Sequence, residues 1–165
     1  MFNLLIVVVL VALDQIFKVL ATRILPDIVP VAVVPHFIGF NYIHNYGAGF
    51  SILSGKVDFL IVITAVALLA IAVGIFAKKF DNNIDEFSFV LILAGGIGNL
   101  IDRMVQGYVV DFIKTTFMEF PVFNVADCFI VVGSILLLVF FLFFYEEKAP
   151  AEVANGNETH TSSGS

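Results

Sequence analysis

Four apolar runs limit what this chain can fold into more than any other feature of the sequence. Residues 59–77 carry no charged side chain and are long enough to cross a lipid bilayer as a helix. Residues 3–21, 87–101 and 128–145 are nearly as apolar, and the hydrophobic share of 60% exceeds that of ordinary globular proteins. We therefore predict a membrane-embedded, all-α bundle of four transmembrane helices, formed by one domain over residues 1–148.

The two ends of the chain are read differently. No basic residue precedes the first run and no small-residue cleavage site follows it, so we interpret it as a retained helix and not a signal peptide. Residues 149–165 are small and polar, and we predict a disordered tail.

The long segments between the runs predict a small sheet. Residues 29–34 and 37–43 are rich in β-branched and aromatic side chains, as is typical of strands, and we expect them to lie on the membrane surface. Residues 104–126 are read as a loop in which residues 114–120 form an interfacial segment. Lysine and arginine occur on both sides of the four spans, so the positive-inside rule leaves the orientation open.

Four spans bring distant polar residues to one membrane face: Asp14, Asn45, Asn99, Asp111, Asn124 and Asp127. An ionisable group at the centre of a membrane helix costs about 2.5–3.5 kcal/mol, so it usually has a polar cavity and a function. Asp111 and Asp127 each follow a short apolar run, and two carboxylates facing one cavity could share a proton. This convergence predicts a site in which the pair activates water.

Several polar residues also have simpler interpretations. Asp14 and Lys18 lie four residues apart on one helical face, and an ion pair between them is favoured over a direct chemical role. Arg103 could extend from a helix end towards water, or it could orient backbone and carboxylates inside the cavity. Cys128, the one cysteine, is interpreted as a packing residue.

Some functions are excluded or made less plausible. The net charge of −6 argues against nucleic-acid binding. His36 and His44 do not have metal-ligand spacing with cysteine or carboxylate groups, so we expect no metal and no cofactor. An ion-coupled transporter is the main alternative, but its polar groups would sit near the midplane, often in paired repeats that this sequence lacks. A purely structural membrane subunit would not explain why so many polar residues cluster at one membrane face.

Five ordered motifs resemble the lipoprotein signal peptidase family, also called signal peptidase II. They are Leu13-Asp14-Gln15 with Lys18, the segments 44–51 and 95–103, Gly107-Tyr108-Val109-Val110-Asp111-Phe112, and Phe123-Asn124-Val125-Ala126-Asp127. Several motifs in the family's order are far more specific than any one of them. The chain differs from the family pattern at Gly49, where alanine is usual, and at Cys128, where a smaller residue such as serine or alanine is usual.

The resemblance implies a bacterial inner-membrane aspartyl endopeptidase. Its substrates would be diacylglyceryl-modified prolipoproteins, cut just before the lipobox cysteine. The catalytic pair would be Asp111 and Asp127, and the supporting residues would be Asp14, Lys18, Asn45, Gly47, Asn99, Arg103 and Asn124. The implied fold has four transmembrane helices, a small extracytoplasmic β-cradle and an interfacial helix. The termini would be cytoplasmic, and we expect a monomer surrounded by membrane lipid.

Overall fold

Four long helices account for most of the computed structural model, which describes residues 2–27, 30–47, 53–77 and 83–143. They are α1 (Phe2–Ile24), α2 (Val57–Phe76), α3 (Asn83–Gln106) and α4 (Val125–Phe143), and a short 3-10 turn, Leu25–Asp27, follows α1. Each is long and apolar enough to cross a membrane. The four predicted spans are confirmed.

Helix α3 lies at the centre of the bundle. In its most apolar window 56% of the residues are buried inside the protein, against 11–22% for the other three helices. Val90 and Ala94 on α3 pack with Val7 of α1 and Leu68 of α2 in one core cluster. Because α1, α2 and α4 surround α3, their outward apolar faces are left to contact lipid.

Glycines allow α3 and α4 to approach each other closely. A Cβ atom on Gly95 would overlap the carbonyl oxygen of Ala126 and the side chain of Ile130. A Cβ on Gly133 would come within 2.7 Å of the carbonyl oxygen of Ser88. Small residues at these positions therefore bring the backbones of the two helices together, which places the first turn of α4 beside α3.

Helix α3 is longer than the run 87–101 from which it was predicted, and it continues to Gln106. Asp102 and Arg103 therefore lie within the helix. Gly107 follows with a φ of 80°, and its N–H donates to the carbonyl of Arg103 at 3.1 Å. This left-handed turn suits glycine and ends the helix, so the chain can reverse directly into a strand.

A three-stranded antiparallel sheet, in the order β1-β2-β3, covers one end of the bundle. The strands are β1 (Val31–Val34), β2 (Ile38–Asn45) and β3 (Val109–Thr115). The sequence predicted the first two, but β3 was wrongly assigned to a loop. In the segment 114–120, predicted to be interfacial, Lys114 and Thr115 pair with Gly39 and Ile38 in the sheet and residues 116–118 form a bend.

A bulge in β2 sets which side chains face Asp111. Phe40 lies opposite Ile113, but Ile43 lies opposite Asp111, so β2 has one residue more than β3 over this interval. Side chains alternate between the two faces of a sheet, and an extra residue exchanges those faces for the rest of the strand. The bulge therefore brings Ile43 and Asn45 to the Asp111 face.

Some predictions fall outside the described residues. These include the departure at Gly49, the segment 48–52 that contains it, and the tail at residues 149–165. Among the residues described between α1 and α2 or between α3 and α4, no helix other than the turn Leu25–Asp27 occurs where an interfacial helix was expected.

Candidate active site

Asp111 and Asp127, called the aspartate pair below, line the same cavity at the sheet-covered end of the bundle. Asp111 lies in the middle of β3 and Asp127 lies in the first turn of α4. The cavity has a volume of about 740 Å³, and its polar lining also includes Asn45, Asn99 and Arg103. The sequence separated these residues widely, and the fold brings them together.

Asparagine side chains connect the two aspartates. Asn124 Nδ2 donates to Asp111 Oδ1 at 2.7 Å and to Asn99 Oδ1 at 3.2 Å, while Asn99 Nδ2 donates to Asp127 Oδ1 at 2.8 Å. Asn45 Nδ2 donates to the second oxygen of Asp111 at 2.9 Å. The pair is thus held by amide donors that fix the orientation of each carboxyl group without supplying a full positive charge.

Asp127 is also held by the start of its own helix. The side chain of Asn124 accepts from the N–H of Asp127 at 3.0 Å, and Asp127 Oδ2 accepts from the N–H of Asn124 at 3.2 Å. This reciprocal arrangement is a capping box, and a helix N-terminus stabilises negative charge. Both hydrogen bonds fix the orientation of the Asp127 carboxyl group at the start of α4.

The environment of Asp111 is dominated by burial. Its side chain is buried, and this burial raises the pKa of Asp111 to about 6, with the nearby charge of Asp127 acting in the same direction. The hydrogen bonds from Asn45 and Asn124 lower the pKa and oppose part of this rise. The protonated form of Asp111 is therefore accessible near neutral pH.

A buried ionic group, the Lys18 cluster, lies beside the aspartate pair and consists of Lys18, Asp14 and Asp102. Lys18 Nζ lies 2.9 Å from Asp14 Oδ2 and 3.0 Å from Asp102 Oδ2, and it donates to Asn99 Oδ1 at 2.9 Å. The exposed fractions of the three side chains are only 3%, 0% and 4%. The predicted Asp14–Lys18 ion pair is confirmed, but it is enclosed by protein and includes a second carboxylate.

The carboxylates of the Lys18 cluster hold the backbone next to the aspartate pair. Asp102 Oδ2 accepts from the N–H of Val110 at 3.1 Å, and Asp14 Oδ1 accepts from the N–H of Ala126 at 2.9 Å. Val110 and Ala126 are the residues directly before Asp111 and Asp127. One lysine thus connects two carboxylates that each fix the strand or helix carrying one member of the pair.

Asp102 and Gln15 belong to the site although no role was predicted for them from the sequence. Gln15 Nε2 donates to Asp102 Oδ1 at 3.0 Å and to the carbonyl of Gly98 at 3.2 Å. Asp102 lies three residues after Asn99 on α3, and this helical spacing was a signal that it shares the site-facing side of the helix. Gly98 is required here because a Cβ would overlap the carboxylate of Asp14.

Arg103 connects α3 to the segment after β2. Its Nη2 donates to the carbonyl of Gly47 at 2.7 Å and its Nη1 donates to the carbonyl of Asn99 at 3.2 Å. The N–H of Gly47 in turn donates to Asn45 Oδ1 at 2.9 Å. Arg103 Nε is buried and has no hydrogen-bond partner among the described residues, so a donor remains available beside the aspartate pair.

All nine predicted site residues therefore fall in one connected region. Asn45, Asn99, Arg103 and the aspartate pair line the cavity, and Asn124 bridges the pair from behind. Gly47 is the backbone partner of Arg103, and Asp14 and Lys18 are buried behind the cavity wall. The geometry brings these residues together, whereas the roles assigned to them remain predictions.

Known proteins are similar to this chain over most of its length. The family model described as "Signal peptidase (SPase) II" matches residues 6–143. A lipoprotein signal peptidase of Caldanaerobacter subterraneus subsp. tengcongensis is 47% identical over 133 residues, which is 80% of this chain and 90% of the relative. One of Clostridium tetani is 39% identical, covering 85% of this chain and 92% of the relative.

Solved structures agree with the sequence relatives. A bacterial membrane enzyme determined by the in meso method at 2.3 Å resolution superposes with a TM-score of 0.80 and 34% identity, over 92% of this chain and 94% of that chain. A second, at 1.9 Å resolution, has a TM-score of 0.73 and the same 34% identity, over 87% of this chain and 94% of that one.

Four membrane-spanning helices with an aspartate pair in a cavity at one bundle end define a multi-pass membrane protease of the aspartyl type. More particularly, the chain belongs to the signal peptidase II family. The family assignment made from the motifs is confirmed.

Proposed function

We propose that this protein removes signal peptides from diacylglyceryl-modified prolipoproteins by cutting just before the lipobox cysteine. The observation that carries the proposal is the aspartate pair in one cavity, connected through Asn124 and Asn99, in a member of the signal peptidase II family. The relatives at 36–47% identity over most of the chain are lipoprotein signal peptidases, which supports the same substrate class.

In the proposed mechanism, one aspartate acts as the general base and the other as the general acid. Asp127, oriented by its capping box, acts as the base and takes a proton from a water molecule while the resulting hydroxide attacks the scissile carbonyl carbon. Asp111, in its protonated form, donates a hydrogen bond to the carbonyl oxygen. The tetrahedral intermediate then collapses, the C–N bond breaks, and a proton from the pair passes to the leaving nitrogen.

The remaining polar residues position the substrate. Arg103 has an unused donor at Nε beside the pair, which suits a backbone carbonyl of the bound signal peptide. Asn99 and Asn124 keep the carboxyl groups in orientation during the reaction. The apolar lining from α4, which includes Cys128 and Ile130–Val132, suits the signal peptide and the acyl chains.

The cellular setting follows from the substrate. We place the chain in the bacterial inner membrane, with the aspartate pair at the extracytoplasmic face and both termini in the cytoplasm. An even number of spans leaves the start of α1 and the end of α4 on the same side of the membrane, which supports this orientation. We expect it to act as a monomer within membrane lipid, without a cofactor, a metal or nucleic acid.

A paired cleavage assay tests the proposal. The full chain in lipid bicelles is given a prolipoprotein with the diacylglyceryl group and the same prolipoprotein without it. We expect cleavage before the cysteine of the lipidated substrate, at a rate about 10²-fold or more above that of the unlipidated one. Equal cleavage of both forms would refute lipid recognition, and no cleavage of either would refute the proposed activity.

A further inference from the structure

A second cavity, of about 880 Å³, lies next to the active-site cavity and is not used in the mechanism above. It is formed by β2, the end of β3 and the segment that leads back towards α4. The two cavities share four lining residues, which are Ile43, Phe120, Pro121 and Val122. A chain leaving the aspartate pair along the sheet would therefore pass directly into the second cavity.

The two cavities differ in their chemical lining. The far wall of the active-site cavity comes from the apolar first half of α4, within a membrane span. The second cavity has a mixed lining with a larger polar share: its polar residues are Asn41, Lys114, Thr115, Thr116 and Glu119, and apolar residues such as Phe117 and Met118 form the rest. An apolar segment fits the first wall, and an extended polar peptide with backbone groups to satisfy fits the second.

The substrate has the same change in polarity at its scissile bond. The part before the bond is an apolar signal peptide and the part after it is the lipidated cysteine followed by the mature chain, which continues into water. Thr115 lies four residues along β3 from Asp111, a distance of about 13 Å in an extended strand. Roughly four residues beyond the cysteine would reach it.

We propose that the second cavity binds the polypeptide stretch that directly follows the lipidated cysteine of the substrate. This inference rests on the proposed function and adds a subsite to it. Binding of this stretch holds the scissile bond against the aspartate pair from the side opposite the signal peptide. Recognition of a peptide backbone by such polar groups needs no particular side-chain sequence.

Kinetics with two substrates test the subsite. Both carry the same signal peptide and the same diacylglyceryl cysteine; the short one ends one residue after the cysteine and the long one continues for roughly ten residues, about 33 Å when extended. Thr116→Trp fills the second cavity, and Val33→Trp on exposed β1 is the matched control. KM and kcat are measured for the full chain in bicelles.

We expect the wild type to have a KM for the long substrate about tenfold below that for the short one, which corresponds to about 1.4 kcal/mol. Thr116→Trp should raise the KM of the long substrate about tenfold. The KM of the short substrate and the kcat values of both substrates should stay within about twofold of the wild type. Val33→Trp should change neither KM nor kcat for either substrate. If Thr116→Trp does not fold, Glu119→Trp in the same cavity gives the same comparison.

Two results would overturn the inference. Equal KM values for both substrates in the wild type would show that the downstream stretch is not bound. An equal rise in KM for both substrates in Thr116→Trp would indicate that the second cavity holds part of the lipid and not the downstream peptide. If the wild type cleaves neither substrate, the proposed function itself fails, which is a different outcome from either of these.

Discussion

Two pairs of acidic residues lie within one hydrogen-bond network, and their partners differ. Asp14 and Asp102 share the ammonium group of Lys18 and are almost completely enclosed. Asp111 and Asp127 receive amide donors from asparagine side chains and face a cavity. The first pair therefore has a charged partner, whereas the direct partners of the second pair are neutral amide groups.

The difference explains why each pair suits its task. Asp14 and Asp102 pair with Lys18 and fix the backbone at Ala126 and Val110. Asp111 has a pKa raised to about 6 by burial, so its protonated form is available to chemistry near neutral pH. Asn99 connects the two regions, because it accepts from Lys18 and donates to Asp127.

The largest expected effect comes from removing the acid–base function of the aspartate pair. Asp111→Asn and Asp127→Asn should each lower kcat by about 10²–10⁴-fold, because general acid–base catalysis typically contributes that much. The rate of cleavage of a lipidated prolipoprotein measures this, after the folded fraction has been matched by size-exclusion chromatography. Near-normal processing by either variant would remove that residue from the catalytic pair.

Loss of Lys18 should act mainly on stability. Lys18→Met leaves two buried carboxylates without their cation, and removing one partner of a buried ion pair costs about 3–5 kcal/mol. Unfolding of the protein in mixed micelles measures the change. The double variant Lys18→Met with Asp102→Asn removes one of the unpaired charges, so it should recover part of the loss. Full stability of Lys18→Met alone would contradict a structural role for the Lys18 cluster.

The pH dependence tests the proton affinity of Asp111. Its pKa is raised to about 6, so Asp111 is protonated below that pH and loses the shared proton above it. We expect kcat/KM to fall as the pH rises through about 6. Asn45→Ala removes a hydrogen bond that favours the ionised form of Asp111, so the pKa of Asp111 should rise. The fall in kcat/KM should then move to higher pH, by up to about one unit. A shift to lower pH would show that the assigned electrostatics are wrong.

The smallest expected effect is at Cys128, which lines the cavity next to Asp127 but belongs to neither acidic pair. Cys128→Ser changes its size little, so cleavage should stay within about twofold of the wild type. Cys128→Ala serves as a second packing control. A loss of more than about tenfold in the serine variant would give the thiol a part in the site that the packing interpretation does not provide.

The sequence revealed the spans and the convergence of polar residues because both depend on local features. Uninterrupted apolar runs define the helices, and Asp111 and Asp127 share one face whatever the packing details because both lie between the end of α3 and the first turn of α4. The Asp14–Lys18 ion pair followed from helical spacing alone.

The features that sequence reasoning missed depend on long-range contacts. Strand β3 is buried on both faces along Val109–Phe112, so it lacks the alternation that identifies a half-exposed strand. Asp102 contacts Lys18, Gln15 and Val110 from other elements, and no local pattern specifies those partners. The bulge in β2 appears only in its register against β3.

The free energy of unfolding of Asp111→Asn, measured beside that of Asp102→Asn in the same lipid mixture, tests the difference between the two acidic pairs most directly. We expect Asp102→Asn to lose several kcal/mol, about 3 or more, because it leaves Lys18 and the N–H of Val110 with a weaker acceptor. Asp111→Asn should lose less, about 1–2 kcal/mol, because no charged partner is lost and only one acceptor oxygen is replaced by an NH2 group facing the amide donor of Asn45 or Asn124. Equal losses in both variants would contradict the separation of a structural pair from a catalytic one.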